Sequence, residues 1–132
     1  MSFELAVVSC FRKFATFRGR AGPAEYWWWQ LFLLLLLIFI GVMSTLSPSA
    51  AGWLALLWIF GLAVPSLAVS VRRLHDVGWS GWWMLAGLVG VGWIFLILLF
   101  AWPGQATANR FGPRPRRIAT PRLTRIPRVR RK

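Results

Sequence analysis

The segment Tyr26–Leu46, YWWWQLFLLLLLIFIGVMSTL, contains no charged side chain. At about 1.5 Å per residue, an α-helix of this length crosses a hydrocarbon core of about 30 Å. The segment begins too far from Met1 to be a secretory signal peptide, and it carries Trp27–Trp29 instead of a small-residue cleavage site. It is therefore predicted to be a transmembrane helix.

A second uncharged segment, Trp53–Val71, is also long enough to span a membrane. It follows Ser47–Gly52, where turn formers and small residues predict a loop, so the second span is expected to run antiparallel to the first. Pro65 has no N–H and its ring crowds the carbonyl group of Gly61, which predicts a kink in this helix.

The third apolar segment, Gly81–Trp102, allows two interpretations. Its length favours one further span, whereas Gly90–Gly92 would let two short arms turn back as a re-entrant hairpin. Most of the ten Trp residues lie at the ends of the apolar segments, where indole rings prefer the headgroup level. Trp82, near the start of the third segment, is expected to serve as such an anchor or interaction residue.

An amphipathic helix is predicted over residues 2–18, before the first span. Apolar side chains recur there at helical spacing, while Glu4, Arg12 and Lys13 point elsewhere. These apolar positions are Phe3, Val7, Cys10, Phe14 and Phe17. The helix is expected to lie in the membrane interface, and packing directly on the spans is the alternative.

The composition of the 132 residues, 58% hydrophobic and 14% charged, nearly excludes a water-soluble globule. One Cys excludes an intramolecular disulfide, and one His with three carboxylates leaves little material for acid–base catalysis or for binding a metal. We therefore predict a protein that is not an enzyme, without catalytic residues, metal ligands or a cofactor. The predicted fold is an all-α integral membrane protein: a small bundle of three apolar transmembrane segments with an N-terminal interfacial helix, over residues 1–112.

Residues 113–132 form a tail rich in Arg and Pro. The stretch 110–132 contains ten basic and no acidic side chains, out of a net charge of +13 for the whole chain. Such a tail is expected to contact anionic lipid, at about 1 kcal/mol per basic residue, or an acidic protein partner. Nucleic-acid binding is not expected, because no aromatic side chain follows Phe111 to stack on a base.

The distribution of basic residues conflicts with three full crossings. Four precede the first span, two follow the second and ten lie in the tail or just before it, so the positive-inside rule favours all three regions on the cytoplasmic side. Three crossings would put the two termini on opposite sides. Either the third segment re-enters, or the N-terminal region and the Arg72 loop face outward, or ten cationic residues are translocated; the last is the costliest.

Polar residues flank the spans on one predicted membrane face. Arg20 and Glu25 precede the first span, and four further candidates follow the second. These are Arg72, Arg73, His75 and Asp76. Because charges at a low-dielectric boundary are stable mainly when paired, we expect a structural clamp of Glu25 with Arg72 or Arg73 and of Asp76 with Arg20; a ligand or ion site is the alternative.

Two further motifs contain residues that could take part in chemistry. His75, Asp76 and Ser80 do not predict a catalytic triad, because adjacent helical residues point about 100° apart. The segment from Asn109 to Pro113 reads as a turn just outside the membrane, where Arg110 would reach headgroup phosphates.

Several of these motifs together resemble the bacterial inner-membrane protein family of unknown function typified by YhaH and YhaI. The motifs are Gly19-Arg20-Ala21 with Glu25-Tyr26-Trp27, the segment from Pro65 to Asp76 with its RRLHD, Ser80-Gly81-Trp82-Trp83, Pro103-Gly104, and the segment from Asn109 to Pro113. The chain departs from the family at Gly22-Pro23-Ala24, where members show a second basic residue, and in its longer tail. The resemblance implies a multi-pass protein of the bacterial inner (cytoplasmic) membrane, and it implies no activity.

The expected function is a non-enzymatic scaffold or accessory subunit that packs against other membrane protein subunits. The pairs Ser66/Ser70 and Ala86/Gly90 have the small-xxx-small spacing of helix contacts and favour this hypothesis. A small oligomeric transporter, channel or holin-like pore is the alternative, although the spans offer few polar residues to line a lumen.

Overall fold

The computed structural model describes residues 1–115, and its regular structure in that range is helical apart from one isolated bridge between Asn109 and Gly112. The α-helices are α1 (Phe3–Arg12), α2 (Pro23–Leu46), α3 (Pro48–Leu56), α4 (Leu62–Asp76) and α5 (Gly92–Ala101). A π-helical turn, Leu57–Gly61, joins α3 to α4, and a 3₁₀ helix, Gly81–Leu88, precedes α5. Of the predicted tail over 113–132, positions 116–132 lie outside the described residues.

The first two predicted spans are present. Helix α2 has 24 residues, and α3, the π turn and α4 form a continuous helix of 29 residues, Pro48–Asp76. Both are long and apolar enough to cross a membrane.

The predicted loop over Ser47–Gly52 is wrong, because the two spans are joined through Ser47 alone. Ser47 N–H donates to Met43 O of α2 at 2.8 Å, and Ser47 O accepts from Ala51 N–H of α3 at 3.0 Å. Pro48 occupies the first turn of α3, where its fixed φ suits a helix and its missing N–H costs nothing.

Pro65 lies inside α4, and the irregular backbone lies before it, in the π turn that ends at Gly61. Gly61 O is the carbonyl that an N–H at position 65 would have bonded in an α-helix. The distortion predicted at Pro65 is therefore found about one turn earlier.

The third apolar segment is not a single helix over 81–102. It forms two arms, the 3₁₀ helix and α5, which reverse direction between Val89 and Val91. The N-terminal end of the segment follows α4 in the chain, and its C-terminal end returns to the end of α4. Arg73 Nε donates to Phe100 O at 3.0 Å, and Gln105 N–H donates to Asp76 O at 2.9 Å. The structure thus has the shape of the re-entrant alternative, which we call the apolar hairpin, residues 81–101.

Glycines shape the apolar hairpin at its turn and between its arms. A Cβ atom at Gly92 would collide with the backbone carbonyl of Ala86, and one at Gly87 would press on Trp93 and Leu96 of the opposite arm. The arms therefore approach more closely than larger residues would permit.

Helix α1 is shorter than the predicted 2–18, since it ends at Arg12, and Phe14 and Phe17 follow it in non-helical backbone. Its Ala6 and Cys10 are fully buried, and the helix packs on α2 and α4. The alternative of packing on the spans is therefore correct, while another face of α1 leaves Leu5, Val8 and Phe11 exposed.

The core lies where α1, α2, α4 and the apolar hairpin meet. Its buried residues include Trp29, Val69, Leu74, Leu96 and Phe100. The pair Ser66/Ser70 faces this interior: Ser66 Oγ accepts from Trp29 Nε1 at 3.1 Å, and Ser70 is buried. In this pair the small-xxx-small spacing therefore serves contacts inside the chain. Gly90 of the second pair, Ala86/Gly90, is exposed at the turn of the apolar hairpin, and a partner contact there stays a prediction.

Candidate functional site

Arg20 occupies the centre of a buried polar cluster at the end of the bundle where α2 begins and α4 ends. It follows Gly19, whose positive φ of 85° turns the chain after α1. The guanidinium donates from Nε to Asp76 Oδ1 at 2.9 Å and from Nη1 to Thr107 O at 2.7 Å. It also donates to Gln105 O, so one side chain joins the α1–α2 link, α4 and the segment after α5.

Arg73 and Asp76 form the second part of the cluster. Arg73 is fully buried, and it donates to Asp76 Oδ2 and to the carbonyls of Phe100 and Trp102. These carbonyls belong to the C-terminal end of α5, where helical carbonyls have no partner within the helix. A side chain three residues before the end of one helix thus caps another helix. The shared Asp76 carboxylate balances part of the charge of Arg20 and Arg73.

Glu25 and Arg72 form the third part, between the start of α2 and the end of α4. Arg72 Nη1 donates to Glu25 Oε1 at 2.9 Å, and both side chains are buried. Glu25 Oε1 also accepts from Ser9 Oγ at 3.0 Å, and Lys13 Nζ lies 3.6 Å away. Because Ser9 belongs to α1, this carboxylate connects α1 to both spans.

Both ion pairs that we expected, Glu25 with Arg72 and Asp76 with Arg20, are therefore present. Arg73 takes the second oxygen of Asp76 and does not bond Glu25. Among residues 1–115, Arg72 Nη2 is a buried polar side-chain atom that lacks a hydrogen-bond partner.

Replacing Glu25 with glutamine is expected to lower the free energy of unfolding by about 2 kcal/mol, since the Arg72 guanidinium would lose its charged acceptor in a buried site. The double variant Glu25→Arg with Arg72→Glu should recover part of that loss. Thermal unfolding in detergent, followed by circular dichroism, measures both. If Glu25→Gln unfolds at the wild-type temperature, the pair does not stabilise the fold.

His75 and the turn after α5 close the outer side of the cluster. The His75 ring stacks on Phe111 with centroids 3.9 Å apart and an angle of 4°, and its Nδ1 lies 3.1 Å from Gly19 O. Asn109 Nδ2 donates to His75 O at 2.9 Å, and Arg110 lies with Cζ 4.6 Å from the centre of the Phe111 ring. Arg110 is exposed and covers one face of the Phe111 ring. Its contact with headgroup phosphates stays a prediction.

His75 and Asp76 point to different partners, as expected for neighbouring helical residues. His75 contacts Gly19 and Phe111, whereas Asp76 bonds Arg20 and Arg73. The described residues 1–115 contain no group of three or more His, Cys, Asp or Glu side chains positioned to hold a metal ion.

Trp82 does not join the polar cluster. Its side chain, on the 3₁₀ helix, is 79% exposed. Its neighbours Trp79 and Trp83 instead pack edge to face at 4.8 Å, and both contact Phe95 of α5.

Gly104 and Ser9 also belong to the cluster, although the sequence did not single them out for it. A Cβ atom at Gly104 would collide with the Asp76 carboxylate, so only glycine allows the chain to pass there. The Pro103-Gly104 pair was a visible signal of a turn, but the need for glycine depends on a contact with a residue 28 positions earlier. Ser9 carried no pattern that distinguished it from other polar residues of an amphipathic helix.

Cys10, the single cysteine, lies in α1 beside Glu25 and Arg72. Burial, with the nearby Glu25 charge, raises the pKa of its thiol to about 12. The thiolate is the reactive form, so the folded protein should react with a maleimide about a thousandfold more slowly than an exposed cysteine does at neutral pH.

Time courses of labelling before and after unfolding in SDS check this prediction. Rapid labelling of the folded protein would show that α1 does not remain packed on the spans. A variant with an exposed cysteine at Ser2, in a Cys10→Ala background, provides the rate for an accessible thiol just before the same helix.

Comparison with known proteins places this architecture in a family. Residues 14–113 match the family described as "Protein of unknown function (DUF805)". The chain belongs to this family. It is 32% identical over 110 residues to "Inner membrane protein YhaI" of Escherichia coli (strain K12), covering 83% of this chain and 93% of that protein. It is 38% identical over 110 residues to "Inner membrane protein YhaH" of the same strain, covering 80% of this chain and 91% of that protein.

No solved structure matches the chain. The resemblance expected from the motifs is confirmed. The matched residues 14–113 include every residue of the polar cluster except Ser9 and Lys13. With its two apolar spans and these relatives, the chain is an inner-membrane protein.

Proposed function

We propose that this DUF805 protein is a non-enzymatic scaffold or accessory subunit that packs against a larger complex in the inner membrane. The observation that carries the proposal is a contrast between the two parts of the molecule. The side chains of the polar cluster form their hydrogen bonds with other residues of the same chain. Most of the surface of the two apolar spans, in contrast, is not covered by the rest of the chain.

The polar cluster supports a structural role. Arg20 and Arg73 direct their donors to Asp76 and to backbone carbonyls of the segment after and at the end of α5. A guanidinium used in this way is not available to bind a substrate. The cluster thus acts as a clamp that fixes α1, both spans and the apolar hairpin.

The spans support a role in association. Only 11% of the most apolar 18-residue stretch of α2 is buried inside the chain. For the corresponding stretch of the second span, Pro48–Asp76, the buried share is 22%. Exposed large side chains of α2 include Leu34, Leu35, Ile38 and Val42. Lipid or helices of other subunits must cover this surface, and close packing between helices is what drives association in a bilayer.

The same clamp supports a specific membrane topology. The 3₁₀ helix of 8 residues and α5 of 10 residues are each about 15 Å long, half of a core of about 30 Å. We therefore place the apolar hairpin as a re-entrant element that reaches the middle of the bilayer. Both spans then cross fully, and all basic regions share the cytoplasmic side, in agreement with the positive-inside rule.

The pore alternative has less support. Ser44 and Thr45 donate to the carbonyls of Gly41 and Val42 of their own helix, and Ser70 donates to Ser66 O. Hydroxyl groups occupied in this way offer little to a hydrated lumen.

Purification of the full chain in mild detergent from its native membrane, followed by mass spectrometry of co-purifying proteins, tests the proposal. We expect a second membrane protein to co-purify in stoichiometric amount. If that protein binds the spans, its association with the chain should persist in high salt. A chain that lacks Arg114–Lys132 should remain folded but lose any association that salt also removes. Recovery of the chain alone, or a catalytic activity that depends on the polar cluster, would contradict the accessory role.

A further inference from the structure

An apolar groove of about 340 Å³ lies between the two spans. Phe32 and Leu36 of α2 form one wall, and Leu54, Leu57 and Trp58 form the other. Phe11 of α1 lies at the end nearest the polar cluster. Leu57 is 66% exposed, so the groove is open to the surface that faces the bilayer.

The groove exists because the second span is irregular where it passes α2. The π turn Leu57–Gly61 interrupts the helix, and Gly61 contributes no side chain to the gap. Trp58 Nε1 lies 3.4 Å from Leu33 O and donates to it, so this ring crosses between the spans and fixes the depth of the groove.

A void in this position must be filled by apolar material from the bilayer, because wall atoms without neighbours lose their dispersion contacts. A methylene group has nearly the volume of a water molecule, about 30 Å³, so the groove accommodates roughly ten carbons of an acyl chain. The shape alone would accept the chain of any lipid.

Two basic residues follow Phe11 in the chain, and positive charge near this end of the groove would favour an anionic lipid. Arg12 and Lys13, next to Phe11 in the chain, are exposed, and α1 presents its apolar Leu5 and Val8 to the surroundings as a helix at the interface does. Lys13 lies 3.6 Å from Glu25, whereas Arg12 forms no ion pair with another residue in 1–115. Residues 1–115 as a whole carry eight basic and three acidic side chains.

We infer that this groove binds one acyl chain of an anionic phospholipid, whose phosphate lies against Arg12 and Lys13. The inference requires the membrane placement of the two spans and is independent of the accessory role. Lipid would then fill the gap between the two spans, and the outer face of α2 would remain free for protein contacts.

Native mass spectrometry of the purified full chain, titrated with phosphatidylglycerol or phosphatidylethanolamine in detergent, tests it. We expect one phosphatidylglycerol to remain bound when others have dissociated. Leu36→Trp and Leu54→Phe, two independent variants that fill the groove, should abolish this retention. Leu37→Trp adds the same ring at a 49% exposed position of α2 outside the groove and should retain the lipid.

The charge variants Arg12→Gln and Lys13→Gln should each weaken retention of phosphatidylglycerol by roughly fivefold and leave that of phosphatidylethanolamine unchanged. Circular dichroism of each variant separates loss of the lipid from loss of the fold. Retention by both folded groove variants would overturn the inference. The inference would also be overturned if the chain formed a dimer that the groove variants dissociate without changing lipid binding. The groove would then hold a second copy of the chain.

Discussion

Replacing Asp76 with asparagine is expected to cost about 3–5 kcal/mol of folding free energy, more than the corresponding change at Glu25. Asp76 is the carboxylate that Arg20 and Arg73 share, and all three side chains are buried. Asparagine keeps the size but removes the negative charge, so two guanidinium groups would remain buried without a counter-charge. For a small membrane protein this loss is a large part of the total stability.

The measurement is thermal unfolding in detergent, together with the amount of protein that accumulates in membranes. Glu4→Gln provides the control, because Glu4 is an exposed carboxylate for which the structure shows no ion pair within residues 1–115. It should stay within about 0.5 kcal/mol of wild type. Equal stability of the Asp76 and Glu4 variants would show that the cluster does not hold the fold together.

Gly92→Ala is expected to open the apolar hairpin. A Cβ atom at this position would overlap the carbonyl oxygen of Ala86, and backbone atoms cannot move aside as the tip of a flexible side chain can. We expect a loss of about 3 kcal/mol or more, in the range of other steric disruptions of a packed interior.

Gly90→Ala is the matched control, two residues away in the same turn. A Cβ atom at Gly90 would meet no atom within 4 Å, so its substitution should be almost neutral. Comparison of the two unfolding temperatures separates the steric effect from a general intolerance of the turn to alanine. A neutral Gly92→Ala would mean that Gly92 does not approach the Ala86 carbonyl as closely as the structure shows.

The two spans and the ion pairs could be predicted because they depend on the distribution of charge along the sequence. The absence of charge between Glu25 and Arg72 identifies the spans, and their antiparallel order brings Arg20 and Asp76 to one end. The pairing then follows from the cost of unpaired charge in an apolar environment.

The apolar hairpin could not be predicted from the sequence, because the length of segment 81–102 favours one span, although Gly90–Gly92 also allows two short arms. What decides it is that Arg73 caps the carbonyls at the end of α5, a contact across 27 residues that no periodicity reveals. The loop at Ser47–Gly52 was predicted wrongly for a related reason. Small residues and Pro48 are compatible with the start of a helix as well as with a turn.

The sidedness of the segments before and after the apolar hairpin tests the central claim most directly. Single cysteines at Ser49, Ser80 and Ala108, in a Cys10→Ala background, would be labelled with a membrane-impermeant maleimide in spheroplasts and in inverted vesicles. If the hairpin re-enters, Ser80→Cys and Ala108→Cys react only in inverted vesicles, and Ser49→Cys, between the two spans, reacts only in spheroplasts. Labelling of Ser80→Cys and Ala108→Cys from opposite sides would show that the segment crosses the membrane, and it would contradict the architecture described above.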